Sequence, residues 1–268
     1  MTSDTHTTPA DLWFRLGTAD APEILDVRVP DDVAADPRSI PGARARSHHD
    51  VADWSRDWAG RAVVVSCQRG LKLSEGVAAW LRQRGARASV LADGHVGWVA
   101  AGLPLVPHDA LPTRAGATVW VTRERPKIDR IACPWLLRRF VDRDATFLFV
   151  APDQVAAVAD RFGAIPFDIE GVRWSHRGPL CTFDTMVEAF GLATEPLSML
   201  ARIVRGADTG DFDLDARAAG LLAISLGLSR LHADDLAQLE AALPVYDALY
   251  RWCLEARDET HTWRTTGA

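Results

Sequence analysis

The sequence predicts an α/β fold, a parallel sheet flanked by helices, followed by a mostly helical α+β half. Three observations predict it. Short apolar runs rich in β-branched residues, Glu23–Val27, Ala62–Ser66 and Ala88–Ala92, recur through the first part of the chain. An amphipathic stretch, Ser74–Gly85, separates the second run from the third and carries Val77, Trp80 and Leu81 at helical spacing. Beyond two further runs, Thr118–Thr122 and Thr146–Val150, helical periodicity takes over.

Each element has its reason. Continuous apolar runs suit strands covered on both faces of a parallel sheet. Gly85 supplies a stop for the preceding helix. Strand, helix and strand in succession imply a right-handed crossover. The tract Gly102–Ala117 concentrates Pro and Gly and reads as a connection between domains. The organisation expected is therefore a first domain over 8–108, a linker over 109–117 and a second domain over 118–255. In the second, Ile128, Ile131, Trp135, Leu136 and Phe140 mark a helix between the two strands. Pro134 is awkward inside it, so the helix is expected to start near Cys133, where proline would fall in the first turn. Helical patterns follow at 153–162, 197–205 and 216–226, and from Asp234 to about Trp252. Pro244 should kink or split the last of these.

Composition bounds the function. A chain of 268 residues has room for two domains. Its 48% apolar and 25% charged residues are those of a soluble globular protein. A net charge of −6 argues against a nucleic-acid partner. No stretch approaches the roughly 20 apolar residues that span a bilayer, so no membrane partner is expected. The N-terminus has no basic segment leading into an apolar one, which argues against a secretory signal. Four widely separated cysteines do not form a disulfide framework. A cytoplasmic protein with reduced thiols is expected.

Cys67 directly follows the run Ala62–Ser66 and precedes Gln68-Arg69-Gly70-Leu71-Lys72 and a helix. That places it at the carboxyl edge of the sheet, where open α/β sheets bind ligands. Gly70 lets the backbone curl, so that successive N–H groups can converge on an anion or on the sulfur. The helix N-terminus, with Arg69 and Lys72, would favour the thiolate. A nucleophile and a buried strand-ending cysteine are both compatible with these local features.

The wider pattern resembles the rhodanese family of sulfurtransferases. The segments that carry the resemblance are EILDVR (23–28), IPGARARSHHD (40–50), CQRGLKLS (67–74) and VLADGHVGWVAAGLPL (90–105), in that order. The resemblance implies a persulfide on Cys67, loaded from a small anionic sulfur donor such as thiosulfate and passed to a thiophilic acceptor, with no cofactor required. It also implies that Arg69, Gly70 and Lys72 bind the donor and that Asp26 and Arg28 brace the loop, although such a pair also serves simply to tie a turn. Ala92 and Asp93 stand where the family has small residues, and Leu73 is apolar where many members are polar. His48 and His49 have no matching third ligand and are expected at the surface.

In the second half, Asp129 and Cys133 are four residues apart and would share a helix face. His176, Cys181 and Asp184 lie close together in sequence, and Asp208, Asp211 and Asp213 follow. Asp129, His176, Asp184 and Asp208 are candidate ligands for a divalent metal, with Cys181 a further one; their mixed N/O set would suit zinc, manganese or iron. Neighbouring arginines could balance the same carboxylates without a metal. Cys133 is expected in the core, and the acidic run after Asp208 lacks the glutamate of a calcium-binding loop. The segments WVTRERPKIDRIACPWLLRRFVD (120–142), SHRGPLCTFDTM (175–186), LARIVRGADT (200–209) and YDALYRWC (246–253) resemble the C-terminal domain of the chromate-resistance ChrB family. That resemblance implies a role in chromate or oxidative-stress defence. The function expected is sulfur transfer through Cys67, and the rival reading is a redox or oxyanion sensor without turnover.

Overall fold

The expected parallel sheet is present, in five strands. The structure is a computed structural model and describes residues 5–111 and 117–259. Its strands are β1 (His6–Thr7), β2 (Glu23–Asp26), β3 (Arg38–Ser39), β4 (Ala43–Ala45), β5 (Ala62–Ser66), β6 (Arg87–Leu91), β7 (Val106–Pro107), β8 (Val119–Arg123), β9 (Thr146–Val150) and β10 (Ile165–Pro166). The first sheet is parallel throughout, in the order β1-β6-β5-β2-β4. The helix Lys72–Gln83 carries the chain from β5 to β6. A second parallel sheet has the order β10-β8-β9. β3 and β7 pair antiparallel through Ser39 and Val106, which pins the end of the first half against its own middle. Residues 112–116 of the expected linker lie outside the described residues, and His108–Ala110 just before them form a 3₁₀ turn.

Successive side chains of a strand point to opposite faces, and the first sheet uses both. Val63 and Val65 pack with Val77, Ala78 and Leu81 of the crossover helix. Val64, Ile24 and Leu91 face the other way, into a core that also contains Trp120, Trp135, Phe140 and Tyr250 of the second half. The two halves are thus joined by buried apolar surface. Trp13 packs on Phe140 at 6.0 Å between ring centroids. A Cβ on Gly17, whose φ is +82°, would stand 2.3 Å from Cε1 of Tyr250. Polar ties reinforce the contact: the Gly42 N–H donates to the Phe140 carbonyl at 2.7 Å, and Arg143 donates to the Pro22 carbonyl at 2.8 Å.

The second half is helix-rich, as expected: Asp129–Leu136, Val155–Phe162, Thr182–Ala189, Glu195–Thr209, Ala218–Leu231 and Asp235–Glu255 surround the small sheet. One proline expectation is corrected, and the split allowed at a second does not occur. The first helix begins at Asp129 rather than near Cys133, leaving Pro134 inside it. Asp129 suits a first helical turn, where exposed N–H groups favour a carboxylate. The helix is short and continues directly into a π-helical turn, Leu137–Val141. Asp235–Glu255 likewise runs unbroken through Pro244. Trp135 stands at the centre of the packing, with Tyr250 at 5.6 Å and Phe140 at 5.7 Å, and its indole N–H donates to Asp247 at 2.7 Å. All four cysteines are free and buried. No described helix is long and apolar enough to cross a membrane.

Candidate functional site

Strand β5 ends at Ser66, in register with Asp26 of β2, and Cys67 is the next residue. The chain then turns through Gln68–Leu71 and enters the helix at Lys72, two residues before the expected Ser74. Ser74 therefore lies in the first turn, and its Oγ is 3.2 Å from the Cys67 Sγ. The same hydroxyl is within donating distance of the Leu71 carbonyl, at 2.9 Å. A serine hydroxyl has one hydrogen, so it can rest on that carbonyl while the thiol is protonated and turn to the sulfur when the thiolate forms. Burial opposes that thiolate. The Ser74 hydroxyl and the backbone N–H groups of Ser74, Arg69 and Leu71 outweigh burial and hold the thiol below its usual value.

Two glycines allow the loop its shape. Gly70 has φ +66°, and a Cβ there would lie 2.5 Å from the Leu91 carbonyl oxygen. Gly94 has φ +57°, and its Cβ would lie 2.3 Å from the Cys67 carbonyl oxygen and 2.5 Å from the Gly70 nitrogen. The Cys67 loop and the turn after β6 therefore touch backbone to backbone. Two hydrogen bonds lock the contact, from the His95 N–H to the Cys67 carbonyl at 2.9 Å and from the Val96 N–H to the Gln68 carbonyl at 3.0 Å.

Asp26 and Arg28 stand one step behind. The buried Arg28 guanidinium grips Asp26 at 2.8 Å and donates to the carbonyls of Asp36 and Arg38 at 3.1 and 2.7 Å. The Asp36 carboxylate meets His95 Nε2 at 2.9 Å. Its hydrogen bond from Arg38 holds it well below the usual carboxylate range. A continuous path thus runs from Asp26 through Arg28, Asp36 and His95 to the carbonyl of Cys67. Arg69 and Lys72 are exposed at the mouth of the loop. His48 and His49 lie against each other at 4.0 Å near the surface.

The second cluster gathers residues from four segments. His176 Nε2 lies 3.4 Å from Asp129 Oδ2, 3.3 Å from Asp208 Oδ2 and 3.6 Å from Asp168 Oδ1. Asp129 opens its helix directly after Ile128, whose φ of +26° is strained for a β-branched residue. Its buried carboxylate accepts the N–H of Thr182 at 2.6 Å, at the start of another helix. Asp208 occupies the last turn of Glu195–Thr209, where the helix dipole disfavours an anion. Burial, then the charges of Asp129 and Asp168, push its carboxyl up to about 6. Contact with Asp129 raises His176 to about 9 against the opposing effect of burial. Asp168, not anticipated from sequence, follows β10 and accepts the Thr182 hydroxyl at 2.9 Å, with Arg123 and Arg130 each at 3.4 Å. Burial, then Asp129, raises its carboxyl.

Asp184 is not brought to this set. Its carboxylate accepts the Cys181 N–H at 3.1 Å and pairs with Arg205 at 2.8 Å, closing a helix cap. Cys181 is the other half of that cap, and burial pushes its thiol far up. Cys133 is fully buried, as expected of a core residue, and burial raises its thiol too.

The geometry defines a parallel α/β unit with a cysteine at its carboxyl edge, joined to a helical unit that carries a histidine–carboxylate cluster. Residues 120–253 match the family model described as ChrB, C-terminal domain, and the chain belongs to that family. The chain is 34% identical to Protein ChrB of Cupriavidus metallidurans over 140 residues, 52% of this chain and 42% of that protein. It thus spans less than half the length of that relative. Among solved structures, a rhodanese-related protein from Thermoplasma volcanium aligns with 38% of this chain and 97% of its own, at 22% identity and a TM-score of 0.34. A thiosulfate sulfurtransferase from Pseudomonas aeruginosa aligns with 40% of this chain and 20% of its own, at 26% identity and a TM-score of 0.34.

Proposed function

We propose that this protein is a sulfurtransferase that carries sulfur as a persulfide on Cys67, in the service of chromate resistance or oxidative-stress defence. One observation supports it most: the Cys67 sulfur faces the Ser74 hydroxyl and a set of backbone N–H groups that favour its thiolate. In the proposed reaction the thiolate attacks the outer sulfur of thiosulfate. The sulfur–sulfur bond of the donor breaks, and sulfite leaves with the electron pair. A thiophilic acceptor, such as cyanide, then attacks the terminal sulfur of the persulfide and regenerates the thiolate. The N–H groups around the sulfur hold negative charge at both stages. The reaction needs no cofactor.

Incubation with thiosulfate should raise the intact mass by one sulfur atom, and cyanide should remove it. Cys67→Ser should abolish the adduct; an adduct that survives that substitution refutes the assignment. The buried setting of Cys67, only 5% exposed, also suits a sensor. Stoichiometric oxyanion binding with no turnover on thiosulfate and cyanide would establish that second reading.

Arg69 and Lys72, being exposed at the loop mouth, are assigned to the anionic donor. Replacing either with alanine should raise the apparent KM for thiosulfate severalfold. Stability should stay within about 0.5 kcal/mol, as for other surface substitutions. An unchanged KM with a much lower melting temperature would make them structural instead.

A further inference from the structure

We propose that Asp129, His176 and Asp208, with Asp168 as a fourth donor, form a binding site for one divalent transition-metal ion, independent of the sulfur chemistry at Cys67. The ligand atoms of Asp129, His176 and Asp208 all lie within 4.8 Å of one another. His176 Nε2 faces three carboxylate oxygens at 3.3, 3.4 and 3.6 Å. A single ring N–H can serve one acceptor, and these separations exceed the usual hydrogen-bond range of about 2.7–3.2 Å. They match donors that share an ion instead: ligands bonded at about 2.0–2.2 Å in a tetrahedral array stand about 3.3–3.6 Å apart.

The surroundings agree. Metal-binding carboxylates are themselves held by hydrogen bonds. Here the N–H of Thr182 holds Asp129 at 2.6 Å, and its hydroxyl holds Asp168 at 2.9 Å. The ion pairs of Arg123 and Arg130 go to Asp168, while Asp129 and Asp208 both turn to the imidazole. Asp208 is placed against its own helix dipole, a choice that a cation at the centre would reverse. The His176 side chain is 43% exposed and Asp129 only 1%, which gives an open entry onto a fixed floor. The nitrogen and oxygen donors select zinc, manganese or iron over a thiophilic ion.

The test uses the full chain, stripped with chelator and titrated with zinc or manganese ions alone. About one equivalent should bind per chain, and the melting temperature should rise by several degrees. His176→Gln and Asp208→Asn each touch a partly exposed side chain and should keep the fold, as circular dichroism checks. Each should weaken binding at least tenfold and remove the thermal shift. His48→Ala/His49→Ala, which alters the histidine pair near the surface, should bind as the parent does. Wild-type protein that takes up neither ion overturns the proposal and leaves His176 as a buried-charge partner only. Tight binding that both cluster variants retain also overturns it. Persulfide formation measured on the same samples reports separately on Cys67.

Discussion

Gly94→Ala should cost the protein most of its capacity to load sulfur, although residue 94 is not adjacent to Cys67 in sequence. The new methyl group would stand 2.3 Å from the Cys67 carbonyl oxygen, 2.5 Å from the Gly70 nitrogen and 2.9 Å from the Arg69 nitrogen. All three are backbone atoms of the Cys67 loop, so no side chain can swing aside to make room. The φ of +57° adds about 1–2 kcal/mol of strain for any residue with a Cβ. Moving the loop pulls the Arg69 and Leu71 N–H groups off the sulfur. A displacement near 1 Å in a reacting constellation costs on the order of a hundredfold in rate. Mass spectra taken over time with thiosulfate would read this directly. Gly76→Ala is the control: nothing lies within 4 Å of its Cβ, and a mid-helix alanine should stabilise by roughly 0.5–1 kcal/mol. Loading at the wild-type rate in Gly94→Ala would show that the two loops are not mechanically joined.

Arg28→Ala should produce the largest loss of stability. Its side chain is fully buried, and it satisfies the Asp26 carboxylate and two backbone carbonyls at once. Removing one partner of a buried pair leaves a charge with nothing to balance it, which costs about 3–5 kcal/mol. In a chain of this size that is a fall of roughly 10 °C in melting temperature. Arg28→Lys should recover little, because one ammonium cannot replace a planar fork that reaches three acceptors. Replacing Asp26 and Arg28 together with apolar residues should restore part of the loss. Calorimetry of the three variants would decide, and a melting temperature within a degree or two of wild type in Arg28→Ala would refute the bracing role.

The strands of both sheets were legible because buried parallel strands are written as unbroken apolar runs. Ala62–Ser66 and Thr146–Val150 fall where those runs predict. Cys67 was legible for the same reason, since the residue after such a run must sit at the sheet edge. The strands of two or three residues, β1, β3, β4, β7 and β10, were not, because so short a run carries no period. Ser74 was read only as a helix start; its hydroxyl reaches the sulfur because the helix begins two residues earlier, at Lys72. Asp129, His176 and Asp208 were singled out as polar residues beside apolar ones, and the fold brings them together. Asp168 escaped because its segment has no regular pattern, and Asp184 misled because a helix-capping carboxylate looks the same in sequence as a ligand. The prolines at 134 and 244 show packing overriding local preference: the helix around Pro134 is buried almost all round, and the one around Pro244 buries Gln238, Leu239, Ala242, Leu243, Tyr246 and Tyr250, so each tolerates a missing bond.

The apolar seam between the two halves has a thermodynamic consequence. Val64, Ile24 and Leu91 of one half and Trp135, Phe140 and Tyr250 of the other belong to a single buried cluster, so neither half can melt without uncovering its neighbour. Unfolding should be one cooperative event, with coincident signals from tryptophan fluorescence, far-ultraviolet dichroism and heat absorption. A ligand that binds only the folded chain then protects every part of it, wherever it docks. An ion captured beside His176 would delay the exposure of Cys67 to heat, urea or protease, and an anion seated at the Cys67 loop would do the same for the helices of the other half. The two chemistries need share no atom for the occupancy of one to lengthen the working life of the other.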